Sequence, residues 1–185
     1  MAGVAAAGTT PLPDLLSLGM DPSTFATLAA ACAPLVHADT ARALVMVESS
    51  MNPHAIGVVG GELDRQPRRL GEALATASAL QQQGWNFSVG LAQINVRNFG
   101  RLGLTAPTAF DPCTNLRAMQ TVLGECFNRA HRDAPAQTAL REALSCYYSG
   151  NLVTGFRHGY VHRVARAAGS LVNRPSPATT PKDFP

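Results

Sequence analysis

The stretch "ARALVMVESSMNP", Ala41 to Pro53, places one carboxylate, Glu48, directly after five consecutive apolar or small residues, Ala43 to Val47. Read with a helical period, Glu48 shares a face with Leu44 and Met51, four residues before it and three after. The apolar run therefore reads as a hydrophobic core stripe on this helix. The same burial aims an acid at a partly dry surface, where desolvation disfavours the anion and raises the carboxyl pKa.

The rest of the chain reads mostly as further helices. Asp21 before Pro22 reads as an N-cap followed by proline at the first helical position, and this first helix must stop before Pro34. Asp39 or Thr40 is expected to cap the helix carrying Glu48, which ends by Asn52 ahead of Pro53. "LGEALATASALQQQG" puts Leu70, Leu74, Ala77 and Leu80 at helical spacing, with Gly84 as stop. Asp111 and Pro112 open a long helix, "TALREALSCYY" predicts another ended by "SGN", and "GYVHRVARAA" a last short one. Only "WNFSVGLAQIN" changes character: β-formers alternate, Gly90 interrupts them, and Gln93 and Asn95, two apart, are expected on the same side. The fold class expected is α+β, predominantly helical, with a small β element. One domain is expected over residues 21–170. Residues 1–20 are small, polar or proline-punctuated, and 171–185 are proline-rich, so both read as flexible segments.

Fourteen arginines against the single Lys182 set the net charge of +3. They are scattered, without basic tracts or interleaved aromatics, so the composition does not support nucleic-acid binding. No segment approaches the roughly 20 apolar residues of a membrane span. The first twenty residues lack a basic start and a long apolar run and do not read as an export signal.

Cys32, Cys113, Cys126 and Cys146 fit no zinc module, and an even count suits two disulfides in an oxidising compartment. If Pro112 to Ala130 is one helix, Cys113 and Cys126 stand about 20 Å apart, beyond bridging range. Two connectivities survive. An antiparallel hairpin of that helix with the next favours Cys113 with Cys146 and Cys32 with Cys126.

Four motifs in order, "ESSMNP" (Glu48 to Pro53), "GLAQIN" (Gly90 to Asn95), "FDPCTNL" (Phe110 to Leu116) and "SCYYSGN" (Ser145 to Asn151), resemble the lytic transglycosylases of the lysozyme-like superfamily. The specialised enzymes that accompany type IV secretion systems are the nearest likeness, over about Asp21 to Ala168. The resemblance implies a lysozyme-like fold, a periplasmic setting, and cleavage of the β-1,4 bond between N-acetylmuramic acid and N-acetylglucosamine in peptidoglycan. It implies that Glu48 is the sole catalytic acid and base, with Ser49 fixing its setting. Gln93 would line the sugar-binding groove, with Asn95 beside it, and Tyr147 would bring its hydroxyl near the Glu48 carboxyl. Tyr148 stands where the family carries asparagine, and Asn151 is the nearby candidate to compensate.

In the implied chemistry Glu48 protonates the glycosidic oxygen and then takes the proton of the muramoyl C6 hydroxyl, which closes on C1 to leave a 1,6-anhydro end. No metal or cofactor is needed. The expected partners are peptidoglycan strands and type IV secretion components, and the chain is expected to be a monomer. A goose-type lysozyme that uses water, and a non-catalytic wall-binding assembly factor, are the competing readings. Trp85, Phe87, His54, Glu62 and Asp64 are read as core or loop residues rather than as members of the site.

Overall fold

The computed structural model describes residues 20–132 and 134–172, so the flexible segments expected at the two ends lie outside the described residues except for their innermost positions. The first helix, α1 (Pro22–Cys32), starts as its sequence dictates: the Asp21 carboxylate accepts from the backbone N–H of Ser23 and Thr24, both at 3.0 Å, and Pro22 occupies the first turn. Next comes α2 (Ala38–Ser49), which begins earlier than expected. His37, rather than Asp39 or Thr40, is its N-cap, and the imidazole Nδ1 accepts from Asp39 N–H at 3.3 Å. Ser50 and Met51 both adopt left-handed backbone, with φ of 52° and 66°, and this ends the helix directly after the Glu-Ser pair.

A three-stranded antiparallel sheet follows in the order β1 (Ile56–Val58), β2 (Phe87–Val89) and β3 (Ile94–Asn95), with Ile56 opposite Val89 and Val89 opposite Ile94. The Gln66 side chain bonds both the N–H and the C=O of Ile56, at 2.8 and 2.9 Å. It thereby satisfies edge groups that a further strand would otherwise pair. Between β1 and β2 lies α3 (Leu70–Gln82), and Gly84 beyond its end has a φ of 74°. After a 3₁₀ turn over Val96–Asn98 come two short helices that sequence patterning did not reveal, α4 (Phe99–Leu102) and α5 (Ala106–Phe110). The long α6 (Pro112–Ala130) is capped by Asp111, whose carboxylate accepts from Thr114 N–H at 2.8 Å. Then come α7 (Ala136–Ser149), closed by left-handed Gly150, the short α8 (Thr154–Arg157), and α9 (Tyr160–Val172), longer than its sequence suggested.

The α+β, mainly helical class is as expected. Ala41, Ala43, Leu44 and Val45 of α2 are all fully buried, with α1 and α9 packed against them, while α6 pairs with α7 and also packs on α1. Phe25, Leu44, Phe110, Leu116, Met119 and Val164 form the centre of one continuous core.

The cysteine connectivity favoured from the sequence is corrected. Cys32 bonds Cys113, and Cys126 bonds Cys146. The C-terminal end of α1 lies against the first half of α6, where the Gln120 side chain also accepts from Leu35 N–H at 2.7 Å, so Cys32 meets Cys113. The end of α7 lies against the last turns of α6, where Arg129 also donates to the Gly150 carbonyl at 3.3 Å, so Cys146 meets Cys126. In the loop-closure picture the 81-residue separation of the first bridge constrains the unfolded chain by about 4–5 kcal/mol, and the 20-residue separation of the second by about 3. Denaturant unfolding of the two paired Cys→Ala variants is therefore expected to show the Cys32/Cys113 pair costing about 1 kcal/mol more; equal losses would overturn this reading.

Candidate active site

Glu48 occupies the last turn of α2, where the helix leaves the core. It is half-buried: protein walls in the carboxyl, and one side opens on a cavity of about 560 Å³. Packed against the carboxyl is Tyr160, the first residue of α9, only 2% exposed. Its hydroxyl donates to Glu48 Oε1 at 2.5 Å. Burial pushes the Glu48 carboxyl up to about 7, and this outweighs the Tyr160 hydrogen bond and the nearby Arg163 charge, both of which favour the anion. The Tyr160 phenol is driven well above its usual range, first by burial and then by the Glu48 charge. It remains a donor, and Glu48 is the member of the pair that titrates near neutrality.

Two consecutive tyrosines of α7 complete this side of the cavity. Successive helical residues point about 100° apart, so the two diverge. The Tyr147 hydroxyl donates to the Ala92 carbonyl at 2.6 Å and not to Glu48. Burial, then the Glu48 charge, raises its pKa well above the ordinary phenol value, which places Tyr147 within electrostatic reach of the carboxyl. Tyr148 stacks on the Tyr160 ring, with centroids 4.7 Å apart and planes at 19°, and its hydroxyl lies 3.2 Å from His158 Nδ1. Tyr148 therefore braces the tyrosine that holds the acid.

The sheet and its following turn form the polar wall. Gln93 sits in the turn between β2 and β3 with a φ of 49°, a left-handed conformation that costs a non-glycine residue about 1–2 kcal/mol. Its amide nitrogen donates to Gly90 and Ala55 carbonyls at 2.9 and 3.1 Å, which offsets that strain and fixes the side chain against β1. A Cβ on Gly57 would lie 2.7 Å from Gln93 Oε1, so a larger residue at this point of β1 would push the Gln93 amide out of its place. Asn95 donates to Ser88 Oγ at 3.2 Å and accepts from Arg97 N–H at 3.0 Å. Asn86, Ser88, Gln93 and Asn95 all line the cavity.

Asn115 holds this turn in place. Fully buried in α6, it accepts from Ala92 N–H at 2.8 Å and donates to the carbonyls of Ala109 and Val89 at 2.8 and 3.0 Å. Gly90, with a φ of 79°, passes so close that a Cβ would lie 2.4 Å from the Asn115 amide nitrogen.

Of the site residues expected from sequence, Glu48, Gln93, Asn95, Tyr147 and Tyr148 are gathered around one cavity. Ser49 is not. Its hydroxyl turns back to the Val45 carbonyl at 3.2 Å, and it does not line the cavity. The Asn151 side-chain oxygen accepts from Val153 and Thr154 N–H at the approach to α8, and Asn151 does not reach the cavity lining either. Phe87 is in the core, and Trp85 is 44% exposed away from the cavity lining. Tyr160 and Asn115 were missed. Tyr160 lies 112 residues from Glu48 in a segment read only as a short helix, and Asn115 stood inside "FDPCTNL" with no local sign of burial. Among the described residues no three His, Cys, Asp or Glu side chains cluster as a metal site would require.

Comparison with known proteins places the chain in a family. A family model described as the transglycosylase SLT domain matches residues 25–166. The type IV secretion system protein VirB1 of Brucella abortus is 48% identical over 151 residues, covering 78% of this chain and 63% of that protein. The chain thus spans a little under two thirds of the length of this relative. Protein VirB1 of Agrobacterium fabrum is 37% identical over 174 residues, covering 90% of this chain and 69% of its own length. No solved structure matches.

Two expectations follow from the Glu48–Tyr160 pair. Tyr160→Phe removes a bond that favours the carboxylate, so the Glu48 pKa, followed by carboxyl-carbon NMR titration, should move further above 7, by about one unit. A fall would refute this electrostatic account. In addition, the folded carboxyl binds its proton more tightly than the unfolded one, so wild-type stability drops as pH rises from 4.5 towards 7. Glu48→Gln lacks this loss and should be more stable than wild type above pH 7, by up to about 2–3 kcal/mol, with the advantage fading below the ordinary glutamate range. Thermal melts across pH would show it, and a pH-independent difference would contradict it.

Proposed function

The chain belongs to the transglycosylase SLT domain family, and from that premise we propose that it is a peptidoglycan lytic transglycosylase with Glu48 as its single acid and base. The observation that carries the proposal is the state of Glu48: a carboxyl held near pKa 7 by burial, facing an open polar cavity, with no second carboxylate among the described residues lining that cavity. A group with that pKa is poised both to give and to accept a proton near neutral pH. Two-carboxylate glycosidase schemes require a partner 5 to 10 Å away, roughly, as nucleophile or base. This cavity offers none, which favours a nucleophile belonging to the substrate.

In this reading the protonated Glu48 gives its proton to the glycosidic oxygen as the bond between muramoyl C1 and that oxygen breaks. Tyr160 then stabilises the carboxylate left behind, since it donates to the anion more strongly than to the acid. The carboxylate accepts the proton of the muramoyl C6 hydroxyl as that oxygen bonds to C1, leaving a 1,6-anhydro end and restoring the acid. Holding an internal nucleophile in place gives it a very large effective concentration. Gln93, Asn95, Tyr147 and Tyr148 are the proposed sugar-binding residues, with the amide and hydroxyl groups of the sheet wall addressing the N-acetyl and hydroxyl groups of the glycan. Tyr148 has a second task, because its ring supports Tyr160.

The naming of the Brucella relative as a type IV secretion system protein supports a setting in the periplasm, where local opening of the wall would let a secretion apparatus through. Two bridged cysteine pairs suit that oxidising compartment.

Mass spectrometry of the fragments released from purified peptidoglycan tests the proposal. Wild type is expected to release anhydromuramoyl ends, one water lighter than hydrolysed ends, and Glu48→Gln none while remaining folded. Hydrated ends would make the protein a lysozyme-type hydrolase, and absence of fragments from wild type would favour a wall-binding assembly factor.

A further inference from the structure

Beside the Glu48 cavity lies a second one of about 450 Å³, and Asn98, Val122, Tyr147 and Gly150 line both, so the two form a continuous groove. The side cavity differs in charge. Arg101, Glu125 and Arg129 line it, together with the Cys126–Cys146 bridge. Glu125 is already neutralised, because Arg101 Nη1 donates to its two oxygens at 2.8 and 2.9 Å. Arg129 is different. It donates once, to the Gly150 carbonyl at 3.3 Å, and has no carboxylate partner among the described residues. Arg97, lining the neighbouring cavity, likewise has no ion pair among them.

The balance of the whole groove is therefore cationic. Among the described residues its carboxylates are Glu48, protonated over part of the neutral range, and Glu125, paired, and its charges without an ion pair are Arg97 and Arg129. A neutral sugar chain gives no reason for such a balance. A guanidinium with free N–H groups on a wall held by a disulfide is a preorganised receptor for a carboxylate.

We propose that this side cavity binds the carboxylate-bearing peptide stem carried by the muramoyl residue, with Arg129 as its anchor. The proposal rests on the reading of the main cavity as a peptidoglycan site and adds what that reading leaves open, the form of the strand that is preferred. Because Asn98, Tyr147 and Gly150 belong to both cavities, a peptide linked to a sugar beside Glu48 has a connected path to Arg129. Salt weakens such an exposed contact, so the preference is expected to shrink as ionic strength rises.

The test compares glycan strands bearing peptide stems with strands stripped by an amidase. Wild type should show a KM about tenfold lower for peptide-bearing strands, the size of one charge-assisted hydrogen bond. Arg129→Gln should raise that KM to the level of the stripped strands, and Arg129→Lys, which keeps the charge, should restore most of the difference. Equal KM values for wild type on both substrates, or a loss in Arg129→Gln shared equally by both, would overturn the proposal. Calorimetric titration with a synthetic stem tripeptide is independent of catalysis. Binding by wild type and by Glu48→Gln, but not by folded Arg129→Gln, upholds the side cavity even if no strand is cleaved, which would instead reject the proposed activity. No binding by wild type rejects the cavity as a stem site.

Discussion

The burial of α2 governs the rest of the molecule. A helix with Ala41, Ala43, Leu44 and Val45 all removed from solvent needs cover on several sides, and α1 and α9 are folded around it to provide that cover. Glu48 follows these residues by less than one further turn, so it sits where the covered helix comes out into the cleft. Its desolvation is a by-product of packing the core. The start of α9 that closes over α2 carries Tyr160, and the same contact that buries the carboxyl gives it one donor. A raised carboxyl pKa lowers stability at neutral pH, and such a cost at a single position is what a site tuned for proton transfer would be expected to show.

A second constraint shapes the opposite wall. The turn from Gly90 to Gln93 contains two residues with positive φ, one of them not glycine, and would not hold that form by local preference alone. Asn115 reaches it from the core of α6 with every one of its three bonds made to backbone groups, and the Tyr147 hydroxyl bonds the Ala92 carbonyl from α7. The polar wall is therefore held by the helices behind it. Tyr147 and Asn115 grip Ala92 through opposite backbone groups, one through C=O and one through N–H, so α6 and α7 are both tied to the turn that positions Gln93. The Cys126–Cys146 bridge joins those two helices and keeps the two grips in register.

Electrostatics then differentiates two parts of one groove. Around Glu48 the lining is mainly amide, hydroxyl and aromatic, with Arg97 at its margin, whereas the wall beyond Tyr147 carries Arg101, Glu125 and Arg129. Arginine is nearly the only basic residue type in the chain, and its planar fork suits carboxylate recognition better than a lysine ammonium would.

Much of this was legible in the chain itself. Helix starts at Asp21-Pro22 and Asp111-Pro112 follow from caps that bond residues two or three positions on, and Gly84, Gly90 and Gly150 mark their turns because only short-range sterics are involved. The drying of Glu48 was also readable, since the five residues before it are its nearest neighbours along a helix. What the sequence could not decide was who meets whom across the fold. Tyr160 reaches Glu48, Asn115 reaches Ala92, and Cys32 reaches Cys113 only after helices remote in sequence have packed, and Ser49 turns away from the cleft because its hydroxyl finds the Val45 carbonyl one turn back. The sequence by itself determined the longer helices, the caps at Asp21 and Asp111 and the acid placed at a core boundary, because local bonds and sterics suffice for those. Only the tertiary structure decided the donor on that acid, the disulfide pairing and the charge of the groove beside it, because each depends on contacts between residues tens of positions apart.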